Sequence, residues 1–323
     1  MIFLDSNMRE IAEVNVDIDV EYGTSEDSTN DFQLTDATLR ELNPKGFYIP
    51  NSEVGGLIDY EKDRADHDYI VWKGFTWRGL LSKSILLPPS GSNYLIVSGE
   101  ANSVIASLLS GKFSGIFKAS TAASGCTISS YQFPLYINLL DGIEGMLEAY
   151  GYRLDIKANK VASGQPIDIV LSAQPAVVMA GTFNEDNGIP MAFEVDNMGI
   201  NHLICGGSGE LQNRMIRHLY IGQNGEITTT QYYFGIQERT AFFDYASAES
   251  EADLIDASKK QLLELASHKT LSMESPEELN LEIGDVIQGL FPDGTLVECP
   301  VVRKIYKIIN GVLEMSYKVK GEE

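Results

Sequence analysis

The side chains of this chain best suited to chemistry are His67, His202, His218 and His268, the cysteines Cys126, Cys205 and Cys299, and a large stock of carboxylates. A zinc peptidase needs two histidines one helical turn apart in an HExxH run, and none occurs. His202 and His218 fall in strand-like sequence, and two histidines supply too few ligands for a metal centre, so both read as structural. Cys205 near either histidine would suit a cysteine peptidase, yet it sits in the apolar run INHLIC without the local signature of such enzymes. Gly206-Gly207-Ser208-Gly209 is glycine-rich like a phosphate cradle but has no Walker lysine and runs into strand-like sequence, which marks a loop or bulge. Position 210 is Glu210, so no GxSxG elbow is present. Carboxylate pairs are abundant, but glycosidase work depends on their separation in space, which spacing in sequence does not give. The loop from Asp59 to Asp68 holds Asp63, Asp66, His67 and Asp68, but lacks the central glycine and closing glutamate of an EF-hand. The expectation is a chain with no catalytic residues, no cofactor and no bound metal.

Charge narrows the partners. The formal net charge is -22, and residues 1 to 71 carry 17 acids against 5 bases. Such a surface repels DNA phosphates and anionic membranes, so specific nucleic-acid binding is not expected. An odd number of scattered cysteines fits a reducing compartment better than a disulfide framework. The N-terminus has acids where a signal peptide has bases and an apolar run, and no segment is long and apolar enough to span a bilayer. These features point to folding in a cytoplasm without an address signal.

The elements that must position these residues are mostly strands. Residues 52 to 89 look like the organising stretch, with both tryptophans, Trp72 and Trp77, the pair Gly55-Gly56, and the apolar stop Ile85-Leu86-Leu87-Pro88-Pro89. In one uninterrupted strand Trp72 and Trp77 would point to opposite faces, bracing a barrel rather than forming a single stacking platform. Val14, Val16, Ile18, Val20 and Tyr22 alternate with Asn15, Asp17, Asp19 and Glu21, which is the period of a half-buried strand. A helix is expected to open at Pro134 and bury Leu135, Leu139, Ile143, Met146 and Leu147, with Gly151 as its stop. Tyr152 to Ile156 and Ile167 to Leu171 read as paired strands, and an acidic-fronted helix runs from about Ser247 to Ser267. Asn224-Gly225 and Asn310-Gly311 each carry the signature of a type I′ hairpin, the second pairing Ile308 with Leu313, Tyr306 with Met315 and Val302 with Val319. The pattern is α+β, with β domains at both ends and a helical layer between.

Several of these runs together carry a resemblance. VGGLIDYEKD, YIVWKGFTWRGLLSKSILLPP, NHLICGGSGELQNRMIRHLYI, NGEITTTQYYF, LEIGDVI and VVRKIYKIINGVLEMSYK, in that order, resemble siphophage and prophage tail-hub proteins, the baseplate-hub or tail-associated proteins of phages of Gram-positive bacteria. The resemblance implies two β-barrel-like hub domains with helical or mixed domains inserted between them. On this chain they would be 1–95 for the first barrel, 96–190 for a mixed helical domain, 191–235 with 270–323 for the second barrel, and 236–269 for a helical segment joining the mixed domain. It implies a structural virion protein of the tail tip, assembled in the host cytoplasm, a homotrimer that closes the tail tube, adapts a sixfold tail to a threefold tip and opens for DNA. Its implied partners are the distal tail protein, the tail tube, the tape-measure protein, and tail fibre or receptor-binding proteins. Assembly residues would be Trp72, Trp77, Gly55, Gly56, Asn310 and Gly311, and Asp17, Asp19 and Glu21 would line a lumen through which DNA passes transiently. The sequence stops at Glu323, just after the hub, so an appended lysin or fibre domain is not expected. The competing readings are a tail-associated cell-wall hydrolase and a carbohydrate-binding receptor module using Trp72 and Trp77.

Overall fold

The computed structural model describes residues 1–36, 39–63, 70–183, 191–248, 250–273, 281–290 and 296–319. The chain divides into two units, one made of Met1–Met191 with Ser272–Lys320 and the other built on Ala192–Leu271. The stretches expected as 1–95 and 96–190 thus share the first unit, and most of 270–323 joins them. The expected stretches 191–235 and 236–269 fall almost wholly in the second.

The first unit starts with β1 (Ile2–Leu4), β2 (Glu10–Glu13), β3 (Asp17–Gly23), β4 (Asp31–Thr35), α1 (Leu39–Leu42), β5 (Gly46–Tyr48), β6 (Gly55–Asp63), β7 (Ile70–Thr76) and α2 (Trp77–Ser82). It continues through β8 (Ile96–Glu100), α3 (Ala101–Leu109), β9 (Phe117–Ala119), β10 (Thr127–Gln132), α4 (Leu139–Glu148), β11 (Tyr152–Lys160), β12 (Ile167–Pro175) and β13 (Val178–Phe183). Next come β14 (Met191–Asp196), β15 (His202–Gly206), β16 (Ile216–Ile221), β17 (Ile227–Thr228), β18 (Thr240–Asp244), α5 (Glu251–Leu265) and β19 (His268–Met273). The chain closes with β20 (Val286–Leu290), β21 (Leu296–Ile309) and β22 (Val312–Val319).

In the first unit, β22, β21, β3, β4, β7, β6, β5, β1 and β2 lie side by side in that order, each antiparallel to the next. The architecture is β-rich with short helices, and the expected middle layer, 96–190, contains α3 and α4 among strands rather than a helical layer alone. Along β3 the apolar set Ile18, Val20 and Tyr22 is buried, as the period of two requires. The strand itself begins at Asp17, so Val14 and Val16 precede it. A second apolar core lies where Leu139, Ile143, Met146 and Leu147 of α4 meet Leu154 and Ile156 of β11. β11 and β12 pair antiparallel from Tyr152↔Pro175 to Lys160↔Ile167, the expected strand pair in longer form.

Three local expectations change. Trp77 does not continue β7: Thr76 ends the strand, its hydroxyl accepting from Gly79 N at 3.2 Å, and caps α2 so that Trp77 is the first helical residue. The helix α4 starts at Leu139 and not at Pro134, because Asn138 is the residue whose side chain accepts from Asp141 N at 3.0 Å. Leu135 is therefore exposed instead of core. Asn224-Gly225 lies in a five-residue connection between Ile221 and Ile227 closed by Gly222 N to Glu226 O at 2.8 Å, with only Gly225 of the two at positive φ. By contrast, Asn310 and Gly311 have φ of 52° and 78°, the two left-handed positions of a type I′ turn. Ile308 pairs with Leu313 and Tyr306 with Met315 as expected, while an irregularity in β21 brings Val301, not Val302, opposite Val319.

The second unit holds a four-stranded sheet ordered β17, β16, β15, β18. Leu254 and Leu262 of α5 pack with Leu203, Cys205 and Leu219 of the sheet in its core. The helix starts where Ser250 caps it, accepting from Asp253 N at 3.1 Å, with Glu251 and Asp253 in the first turn near its positive end.

Candidate functional site

The expected assembly residues gather in the first unit. Trp72 of β7 is 2% exposed, and its indole N–H donates to Asp36 O at 3.1 Å. Trp77 is fully buried, and its Nε1 finds no hydrogen-bond partner among the described residues. A sugar cannot stack on either ring in this state, so Trp72 and Trp77 do not form the platform that the carbohydrate-binding reading assigns to them. Gly55 and Gly56 begin β6 where backbones crowd: a Cβ on Gly55 would sit 2.6 Å from Trp77 Nε1, and one on Gly56 would sit 2.2 Å from Phe75 O. The Asn310–Gly311 turn docks on β3 through Asn310 N, which donates to Asp17 Oδ1 at 2.8 Å.

The acids of β3 face the bases of β21. Asp19 pairs with Lys307 at 3.1 Å, and Glu21 stands 3.6 Å from Arg303 while accepting from Thr29 N at 3.1 Å. The register places Lys307 opposite Asp19 and Arg303 opposite Gly23. The row is thus partly neutralised across one ladder. A cleft of about 620 Å³ opens beside Glu21, Asp27, Thr29, Lys83 and Arg303. Of the loop residues weighed for calcium, Asp66, His67 and Asp68 lie outside the described residues, as does the side chain of Asp63. Among the described residues, no group of three or more His, Cys, Asp or Glu could hold a metal ion.

A buried charge cluster was not foreseen. Arg78 of α2, 1% exposed, binds Glu53 just before β6 and Glu144 of α4, and donates through Nη2 to Leu154 O at 3.1 Å. Burial raises the Glu53 carboxyl, against the pull of Arg78. Burial also raises the Glu144 carboxyl to about 8, again against Arg78 and with help from the nearby charge of Asp141. A protonated Glu144 leaves the Arg78–Glu53 pair balanced in the interior. Close by, Lys304 binds Glu282 at 3.2 Å and lies over the rings of Tyr22 and Tyr317. Burial lifts the Tyr22 hydroxyl well above the usual tyrosine range, and the charge of Glu53 adds to it. The only prior signal was a basic residue inside the otherwise apolar run Trp77-Arg78-Gly79-Leu80-Leu81.

A second constellation lies in the other unit. His202 Nδ1 is 2.6 Å from Glu238 Oε1, and His202 Nε2 is 2.8 Å from His218 Nδ1. A carboxylate only accepts, so Nδ1 of His202 carries a proton, and in the neutral pair His218 Nδ1 donates to His202 Nε2. Tyr220 stacks on His202 at 4.4 Å. The chain of bonds ties β15, β16 and the segment before β18 together, in keeping with a structural role for both histidines. The three cysteines are buried thiols, and burial pushes Cys299 up to about 11, which keeps it protonated and inert.

No family model matches the chain, and no curated protein matches it. Solved structures do. The chain is similar to a tail protein from Neisseria meningitidis MC58, at 11% identity and a TM-score of 0.48 over 97% of this chain and 93% of that one. It is similar to prophage tail protein gp18 from Listeria monocytogenes EGD-e, at 12% identity and a TM-score of 0.49 over 99% and 93% of the two chains. A third is the 43 kDa tail protein of prophage MuSo2 from Shewanella oneidensis, at 10% identity and a TM-score of 0.48 over 95% and 93%. All three of these structural neighbours are tail proteins, two of them from prophages.

Proposed function

We propose that the chain is a structural protein of a phage tail tip, a baseplate hub that closes the tail tube, adapts a sixfold tail to a threefold tip and opens for DNA. In this reading it acts as a homotrimer in the virion, is assembled in the host cytoplasm, and is not an enzyme. It contacts the distal tail protein, tail tube and tape-measure protein, and fibres or receptor-binding proteins attach around it. DNA passes only transiently.

The observation that carries this reading is the ladder between β3 and β21. Six consecutive pairs, from Arg303↔Gly23 to Ile308↔Ile18, join the N-terminal strands to the C-terminal hairpin in one antiparallel sheet. A ring subunit under load needs such continuity, because a sheet sealed in this way has no free edge at the seam. Asp17, Asp19 and Glu21 run along the same seam, held by Asn310, Lys307 and Arg303. Facing a lumen, such a surface would let DNA slide without adhering.

The test is imaging of the purified chain alone and mixed with the distal tail protein of the same phage. Three-lobed rings are expected in at least the mixture. Single chains under both conditions, with clearing of host cell walls by the pure protein, would replace the hub reading with the hydrolase one.

A further inference from the structure

The chain's acidity has one gap. Residues 84–140 contain a single acid, Glu100, and two bases, Lys112 and Lys118, in a chain whose net charge is -22. No charged residue occurs at all from 84 to 99 or from 119 to 140. Glu100 is already engaged: it caps α3 through Ser103 N at 2.9 Å and accepts from Ser124 N at 2.8 Å.

The fold brings these two uncharged stretches together. Leu86 N donates to Ile137 O at 2.9 Å, Leu139 N to Ser84 O at 2.7 Å, and Phe133 N to Leu95 O at 3.0 Å. β8 and β10 pair beyond them, with Ile96 opposite Gln132. Along this frame every second residue turns in: Leu86 is buried and Leu95 packs on the core, while Ile85, Leu87, Tyr94 and Ile96 are exposed. Leu135 and Tyr136 are exposed in the segment that links the two pairings, with Leu87 at 64% and Tyr136 at 66%. Tyr136 holds φ at 60°, a left-handed conformation that is strained for an aromatic residue. β8 and β10 form a two-stranded ribbon, a unit that is marginal by itself in water.

We propose that this apolar face, built from Ile85, Leu87, Tyr94, Ile96, Leu135 and Tyr136 and bordered by the ammonium of Lys112, which donates to Ile85 O at 3.3 Å, is where one copy of the chain docks on another. The occupant follows from charge. Each copy carries the same large negative excess, so two copies repel wherever acidic surface meets acidic surface, and the cost is least where acids are missing. Interface cores are depleted of charge and enriched in aromatic side chains, as this face is. An anionic membrane is disfavoured by the rest of the chain, and a basic partner would find nothing here to pair with. The proposal rests on the hub reading only for the expectation that several copies assemble.

The test is light scattering of the full chain over a hundredfold range of concentration, for the native protein, Leu87→Asp and Tyr136→Asn. Asn accepts left-handed backbone readily, so Tyr136→Asn removes the ring without straining the fold. Native protein is expected to self-associate, and each variant to weaken association by about tenfold or more with an unchanged Tm. Native protein that stays a single chain throughout, or oligomers that ignore both substitutions, would overturn the proposal. So would binding to neutral phosphatidylcholine vesicles that both variants lose, which would assign the face to lipid. Mixing with the distal tail protein separates the two readings. Normal rings from both variants would sink this interface and leave the hub standing, whereas face-dependent self-association without any ring would do the reverse.

Discussion

The guanidinium of Arg78 on α2 donates through Nη1 to the carboxylate of Glu144 on α4, which lies 66 positions further along the chain. Glu53, 25 positions upstream, holds the other edge of the same guanidinium, with Nη2 to Oε2 at 3.2 Å. One cation therefore locks α2, α4 and the segment just before β6 together inside the first unit.

Arg78→Ala should be among the most damaging single substitutions in the chain. It leaves the buried Glu53 without its cation, and breaking a buried pair in this way costs about 3–5 kcal/mol. Chemical denaturation should record the loss. The double change Arg78→Met with Glu53→Gln should recover part of it, and a stable single Arg78→Ala protein would show that the cluster contributes nothing.

Glu144 sets a pH dependence with a definite sign. Its folded value of about 8 lies above the ordinary 4.5, so the folded state holds a proton that the unfolded state has released. The stabilisation is fully present below about 4.5 and is lost as pH rises through about 8. Thermal scans should give a Tm that falls between mildly acidic and mildly alkaline buffer. In Glu144→Gln, neutral at every pH, that fall should shrink.

Trp77→Ala should destabilise by about 3–5 kcal/mol, because a fully buried indole leaves a large cavity against Tyr48, Leu81 and Phe117. Urea melts give the number, and no activity should change apart from assembly. Near-neutral stability would mean the ring is not the brace of the sheet.

Gly56→Ala introduces a Cβ 2.2 Å from Phe75 O, a backbone atom that cannot swing aside. A loss of about 1–3 kcal/mol is expected from the forced shift of β6 against β7. Circular dichroism melts of this variant beside the native protein check it.

At the last hairpin, Asn310→Gly should be close to neutral, whereas Gly311→Ala at φ 78° should cost about 1 kcal/mol or more. Equal melting temperatures for the two variants would contradict the type I′ assignment.

How far the sequence led depends on the range of the interaction. The Asn310–Gly311 hairpin was legible because the turn's backbone demand is met by two adjacent residues, and β3 was legible because Ile18, Val20 and Tyr22 alternate with acids. The start of α2 was missed because the Thr76 cap hides inside an aromatic run that reads as strand. The start of α4 was misplaced because proline suits a first turn in general, while Asn138 supplies the actual side-chain bond. The Arg78 cluster and the His202, His218 and Glu238 chain depend on register between distant strands, which no local pattern encodes. The exposed face is half visible: the scarcity of charge stands in the sequence, but a helix counted from Pro134 would bury Leu135, which the Asn138 cap leaves outside.

The pairing of β3 with β21 also fixes a schedule. Asp17 and Asn310, bonded across the seam, are separated by 293 positions. A ribosome adding roughly 5–20 residues per second releases β3 well before its partner strand exists. Until then one side of β3 presents unpaired backbone groups, an open template for any neighbouring nascent chain. Synthesis of this protein should therefore be slow to yield closed molecules and sensitive to crowding on the polysome, and a holding chaperone that covers β3 should raise the yield without altering the finished fold.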